Sequence, residues 1–260
     1  MKKRLTCQGC RDGEPLPFAF TMAFQPIVDL EQGRVWGYEA LVRGPDGESA
    51  ASILAQVTNE TLYKFDQACR VKAIELAGRM LPLDDDTMLS INFMPNAVYE
   101  PAACIRASLE AARRVGLRQE RLMFEFTEDE RVTDPAHTAR IIAEYKRQGF
   151  LTALDDFGAG YAGLNLLANF QTDLIKIDMA LIRGIDTDRV RQAIVAGIVG
   201  IARDLNLKVI AEGVETDAEI MILRAAGIVL FQGYRLARPQ LERFPSVIGM
   251  DALGRISAAA

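Results

Sequence analysis

The chain has 260 residues, 50% of them hydrophobic and 25% charged, with 20 Gly and 10 Pro, which excludes the disordered, collagenous and low-complexity classes. Thirty Lys and Arg against thirty-five Asp and Glu leave a net charge of −5, so no positive field is available to gather DNA, RNA or an anionic membrane. Four Cys and one His are too few for a disulfide framework or an ordinary zinc centre. Cys7 and Cys10 are the one close pair and read as reduced thiols on an arm, with a redox or metal clip as the alternative. No stretch approaches the ~20 apolar residues of a membrane span. The basic start, Met-Lys-Lys-Arg-Leu-Thr-Cys, leads into no apolar run, so a cytoplasmic protein is expected.

Eight β-rich runs are predicted in order: 18–29, 35–43, 87–94, 121–128, 150–157, 172–178, 208–215 and 227–236. Several are continuously apolar, as expected of strands covered on both faces. Helical spacing fills 49–80 (as one helix or two), 102–115, 134–148, 188–205 and 216–226. The end signals agree: Asp134-Pro135 reads as N-cap and N1, Thr216 to Glu219 as a capping box, and Gly116, Gly149 and Gly227 as helix stops. Eight β/α units point to a TIM-type (β/α)8 barrel, with a doubly wound open sheet as the rival. Residues 1–17 read as an N-terminal arm, 18–245 as the barrel and 246–260 as a tail.

Polar residues close nearly every predicted strand: Glu39, Asn92, Glu125, Asp155-Asp156, Lys176, Glu212 and Gln232. In a barrel these ends converge on one face. Five carboxylates crowded together cannot all ionise without cations, and all-oxygen ligands select hard ions such as Mg²⁺ or Mn²⁺. The adjacent Asp155 and Asp156 suggest two metals sharing a carboxylate, an arrangement suited to splitting phosphodiesters. Each carboxylate alone would read as an N-cap or a solvated loop charge; seven coordinated positions do not. A Schiff-base aldolase using Lys176 is a weaker alternative, because neighbouring carboxylates would keep that amine protonated. Gly158-Ala159-Gly160 is only a weak phosphate-cradle signal. His137 reads as surface, Trp36, Phe24 and Tyr38 as core or groove, and Asp84 to Asp86 as a solvated loop on the opposite rim.

Glu39-Ala40-Leu41-Val42-Arg43 resembles the signature of the EAL-domain phosphodiesterases, which hydrolyse cyclic di-GMP to linear pGpG. The likeness runs over roughly residues 18–245. It takes in Phe24 to Val28, Ser90 to Phe93, Phe124 to Glu128, Asp155 to Tyr161, Ile175 to Asp178, Ala211 to Glu215 and Gln232-Gly233-Tyr234. The resemblance implies a barrel with one strand antiparallel and two divalent cations, Mg²⁺ or Mn²⁺, with Ca²⁺ inhibitory. Glu39, Asn92, Glu125 and Asp155 would hold one ion; Asp155, Asp156 and Glu212 would serve the other. Lys176 would hold the attacking water, Glu212 would take its proton, and Glu39 would count with them as catalytic. Gln25, Leu41, Arg43 and Gln232 would contact substrate. Glu128 and Glu215 would position loops, the first coupling metal occupancy to homodimer formation.

Ala159, Ala162 and Gly163 stand where the family usually carries hydroxyl residues, which removes side-chain hydrogen bonds from that loop. Arg235 replaces a residue more often apolar or aromatic, with an expected effect on substrate or dimer contacts. A separate sensor or regulatory protein is the expected source of control. A catalytically silent module that binds cyclic di-GMP or a protein is the runner-up reading.

Overall fold

The computed structural model describes residues 15–127, 134–160 and 163–248; Cys7, Cys10, Glu128 and Ala162 lie outside them. The first two strands, β1 (Thr21–Asp29) and β2 (Arg34–Arg43), form an antiparallel hairpin rather than the β/α repeat expected from periodicity. The reason is local. Asp29 Oδ1 accepts the amides of Glu31 and Gln32 at 2.9 and 2.8 Å, and Gly33 takes φ +63, so the chain reverses before a helix can start.

From β2 onward the parallel order is regular. The strands β3 (Met88–Asn92), β4 (Leu122–Thr127), β5 (Leu151–Phe157), β6 (Leu174–Ile177), β7 (Lys208–Ala211) and β8 (Leu230–Phe231) follow in space as in sequence. β8 pairs with β1, and β1 with β2, closing an eight-stranded barrel in which β1 alone runs antiparallel to both neighbours. A two-residue β9 (Gln240–Leu241) adds to β1. Closure excludes the open-sheet rival.

Helices α1 (Ala50–Leu54), α2 (Leu62–Gly78), α3 (Pro101–Cys104), α4 (Arg106–Val115), α5 (Pro135–Arg147), α8 (Arg189–Asp204) and α9 (Asp217–Ala225) fall where apolar spacing places them. Two short ones, α6 (Gly163–Asn169) and α7 (Met179–Ile182), carry too few turns for a periodic signal. The caps hold as read: Asp134 accepts from the His137 amide, and Thr216 and Glu219 form a reciprocal capping box. Asp85 and Asp86 precede β3 and bond Thr87 and Arg118, on the rim opposite the strand C-termini. Among the described residues no helix is long and apolar enough to cross a membrane.

One apolar layer sets the depth of the barrel. Ile27, Trp36, Met88, Met123, Ala153, Leu174, Ile210 and Leu230, one from each strand, pack together as a floor. Side chains alternate across a strand, so the residue two positions on faces the same interior. Those residues are Ser90, Glu125, Asp155, Lys176, Glu212 and Gln232, with Gln25 two positions back on the reversed strand. On β2 the rule is broken by a bulge that leaves Trp36 unpaired, and Glu39 joins the layer because the shifted hairpin register pairs it directly with Gln25. A polar layer on an apolar floor therefore follows from the pleat.

Candidate functional site

Lys176 stands at the centre of that layer with no exposed surface. Its Nζ lies 2.7 Å from Glu125 Oε2, 2.7 Å from Glu212 Oε1, 3.0 Å from Asp155 Oδ1 and 3.5 Å from Glu39 Oε2. Glu39 is fixed by two amides: Asn92 Nδ2 donates to Oε1 at 3.0 Å and Gln232 Nε2 donates to Oε2 at 2.6 Å. Gln25 accepts from Gln232 at 3.3 Å and donates to the Ala237 carbonyl at 3.2 Å. Ser90 Oγ donates to Glu125 Oε1 from beneath.

Asp156 reaches the mouth by breaking strand geometry. Neighbouring strand residues point to opposite faces, but the β5–β6 pairing is irregular between Leu154 and Phe157, and Asp156 has φ +53. Asp tolerates this left-handed conformation better than most residues, and the irregularity turns Asp156 toward the same mouth as Asp155. At the ends of β7 and β8, the Glu212 amide donates to Ile177 O at 3.1 Å and the Gln232 amide to Ala211 O at 2.9 Å. The ladder thus continues one residue past the formal strands and fixes both side chains.

The electrostatics are those of crowded carboxylates. Burial, reinforced by Glu39 and Asp155, pushes the Glu125 carboxyl up to about 8 against the pull of Lys176. Burial and the Asp155 charge push Asp156 up to about 6. The same two causes hold Glu212 well above the ordinary range. Burial opposes the charge on Lys176, but Asp155, Glu125, Glu212 and Glu39 together keep its pKa well above the usual lysine value. A protonated amine is a poor nucleophile, so the geometry gives the Schiff-base alternative no support.

Two carboxylate groups can each hold a cation: Glu39, Glu125 and Asp155, and Asp155, Asp156 and Glu212, with ligand oxygens within 4.8 Å of one another in each. Asp155 belongs to both. One lysine against five carboxylates leaves negative charge, and the donors are all oxygen, so the set fits hard divalent ions.

The other expected residues fall around this centre. The mouth opens into a cavity of about 420 Å³ whose lining includes Gln25, Glu39, Asp156, Glu212, Glu215 and Gln232. Leu41 lies outside it, in a neighbouring apolar cavity of about 580 Å³ that also touches Asn92. Arg43 is half-buried, donates to the Val42 carbonyl at 2.7 Å and does not line the 420 Å³ cavity. Arg235 forms a two-point pair with Asp217 at 2.8 and 3.1 Å, which directs it to the start of α9. Sequence reasoning gave no role to Ser90, Asp178 or Arg183. Ser90 was legible from the floor-plus-two rule; the last two border a one-turn helix that periodicity cannot register.

The family model for the EAL domain matches residues 18–239. Among curated relatives, the "Blue light- and temperature-regulated antirepressor BluF" of Escherichia coli is 35% identical over 86% of this chain and 55% of its own length. "Cyclic di-GMP phosphodiesterase NbdA" of Pseudomonas aeruginosa is 30% identical over 88% of this chain and 30% of its own. The chain therefore spans about half or less of these relatives. Among solved structures, a standalone versatile EAL protein from Vibrio cholerae O395, in its c-di-GMP-bound form, superposes with TM-score 0.85 at 54% identity, covering 90% of this chain and 97% of that one. The manganese/cyclic di-GMP complex of Klebsiella pneumoniae BlrP1 gives TM-score 0.80 at 38% identity, covering 89% and 57%. On the match of the family model across the barrel, this chain belongs to the EAL domain family.

Proposed function

We propose that the chain hydrolyses cyclic di-GMP to linear pGpG with two divalent cations, Mg²⁺ or Mn²⁺, in the barrel mouth. The observation that carries this reading is the pair of carboxylate groups sharing Asp155 around one buried lysine. Glu39, Asn92, Glu125 and Asp155 would hold one ion, and Asp155, Asp156 and Glu212 the other. Bound there, the ions supply acidification of a water and neutralisation of phosphoryl oxygens. Lys176 donates a hydrogen bond that orients the attacking water. Glu212, whose Oε1 lies 2.7 Å from Lys176 Nζ, takes its proton. The water oxygen joins phosphorus as one phosphoester P–O bond breaks; the departing alkoxide takes up a proton from solvent, and Glu212 returns its own proton to solvent. Gln232 and Asn92 keep Glu39 in place throughout. The names and ligands of NbdA and of the BlrP1 complex support the substrate and the metal class.

A second reading, a nucleotide-binding module whose output is a protein contact, draws on the likeness to the antirepressor BluF. The two carboxylate groups that share Asp155 favour hydrolysis. Incubation of the purified protein with cyclic di-GMP, separated by chromatography, decides between them. Linear product with Mg²⁺ or Mn²⁺ and none in chelator is expected; retained nucleotide without product under every metal condition would move the assignment to the binding module.

A further inference from the structure

Among the described residues lining the 420 Å³ cavity, Arg183 is the one cation, facing Glu39, Asp156, Asp178, Glu212 and Glu215. It follows α7, the one-turn helix between β6 and α8, and pairs with Glu215 across the rim. Both partners are substantially exposed, at 38% and 44%, so the pair contributes little by itself and gives way readily to a better anion.

What holds Arg183 there is buried behind it. Glu219 is 3% exposed. Its Oε1 accepts the Gly184 amide at 3.0 Å, while Oε2 accepts the amides of Glu215 and Thr216 at 2.8 and 3.0 Å. One carboxylate thus ties the end of α7, next to Arg183, to the start of α9, next to Glu215. Burial disfavours its charge, yet three backbone donors hold its carboxyl below the usual range. The seat of α7 is tight on both sides. A Cβ on Gly158 would strike Leu181, and one on Gly213 would strike Met179; both glycines have positive φ, +95 and +64. Asp178 caps the helix by accepting the Ala180 amide at 2.8 Å.

We propose that Arg183 binds the anionic nucleotide entering this mouth, exchanging Glu215 for a phosphodiester oxygen, and that Glu219 is the positioning residue that aims it. This rests on the cyclic di-GMP reading above. Arg183 would add to Arg43, the phosphate contact the sequence suggested, and it lines the cavity directly.

The test is equilibrium binding of cyclic di-GMP, in Ca²⁺ and in chelator, together with KM and kcat in Mn²⁺. Arg183→Ala is expected to weaken binding on the order of 10–100-fold, with KM rising more than kcat falls. Arg183→Lys should recover part of the loss, because it keeps the charge without the fork. Glu215→Ala should tighten binding, by up to about fivefold, by removing the competing carboxylate. Glu219→Gln should weaken binding with the same KM-dominated split, and no further once Arg183 is already Ala. Should Glu219→Gln fail to fold, the Arg183 and Glu215 variants carry the test alone. Binding by Arg183→Ala within about twofold of wild type overturns the assignment of Arg183. Additive losses in the double variant overturn the positioning role of Glu219. Wild-type protein that neither binds nor cleaves cyclic di-GMP removes the functional reading itself, and this proposal with it.

Discussion

Replacing Lys176 by Met tests the electrostatic design of the mouth directly. The substitution preserves length and flexibility but deletes the one positive charge that four carboxylates approach at 2.7 to 3.5 Å. Removing one partner of a buried ion pair costs about 3–5 kcal/mol, because the remaining charge is left uncompensated. At roughly 2–4 °C per kcal/mol for a domain of this size, the metal-free variant should melt about 6–20 °C below wild type. Protons can replace the lost charge, since Glu125, Asp156 and Glu212 already have raised proton affinities. The deficit should therefore widen with alkalinity, by about 1.4 kcal/mol per pH unit for each extra proton the folded variant retains. Saturating Mn²⁺ should shrink the gap, because cations then neutralise the same oxygens. Thermal denaturation followed by circular dichroism, in chelator and in Mn²⁺ at two pH values, measures all three effects. A variant as stable as wild type in chelator near pH 8.5, or a gap that Mn²⁺ leaves unchanged, would refute the claim that Lys176 neutralises the carboxylates of the mouth.

The remaining predictions concern the same mouth. Ser90→Ala, which removes the hydroxyl donor beneath Glu125, should weaken metal affinity or turnover about 10–100-fold without touching a proposed ligand, as read by calorimetric titration with Mn²⁺. Glu125, raised to about 8, should be largely protonated in the metal-free protein at neutral pH, so Mn²⁺ affinity should climb up to about tenfold per pH unit below 8 and level off above it; a flat profile from pH 6.5 to 8 would count against this. The linked effect on stability runs the other way. A carboxyl raised in the folded state contributes stability that is complete below its unfolded pKa near 4.5 and lost as pH rises through about 8, so denaturant titrations in chelator should show Glu125→Gln flattening that decline. Ca²⁺ should bind the mouth yet support little turnover, because its looser coordination acidifies water less than Mg²⁺ does; equal rates in the two ions would contradict the water-activation scheme.

Much of this was legible in the chain itself. Apolar runs closed by Glu39, Asn92, Glu125, Asp155, Lys176, Glu212 and Gln232 identify a barrel mouth, because side-chain alternation carries one polar residue per strand to a common face above an apolar floor. Helix ends at Asp134 and Thr216 were equally plain, since capping is a local hydrogen-bond problem that a few residues solve. The β1 reversal was a different matter: the hairpin is set by Asp29 and Gly33, but its place inside a closed barrel depends on β8 pairing with β1. α6 and α7 escaped notice because seven and four residues are too few to display a helical period.

The amino-acid sequence by itself determined the family resemblance, the β/α repeat, the acidic character of the mouth and the class of cation that suits it, because each depends on residue type and spacing along the chain. Tertiary structure alone decided which carboxylates surround Lys176, that Asp156 turns inward on a left-handed backbone, that Arg235 pairs with Asp217, and that Arg183 lines the cavity. Those outcomes are set by register, by an irregular strand pairing and by a one-turn helix seated between distant loops. They are relations between segments far apart in the chain, and local sequence patterns carry no information about them.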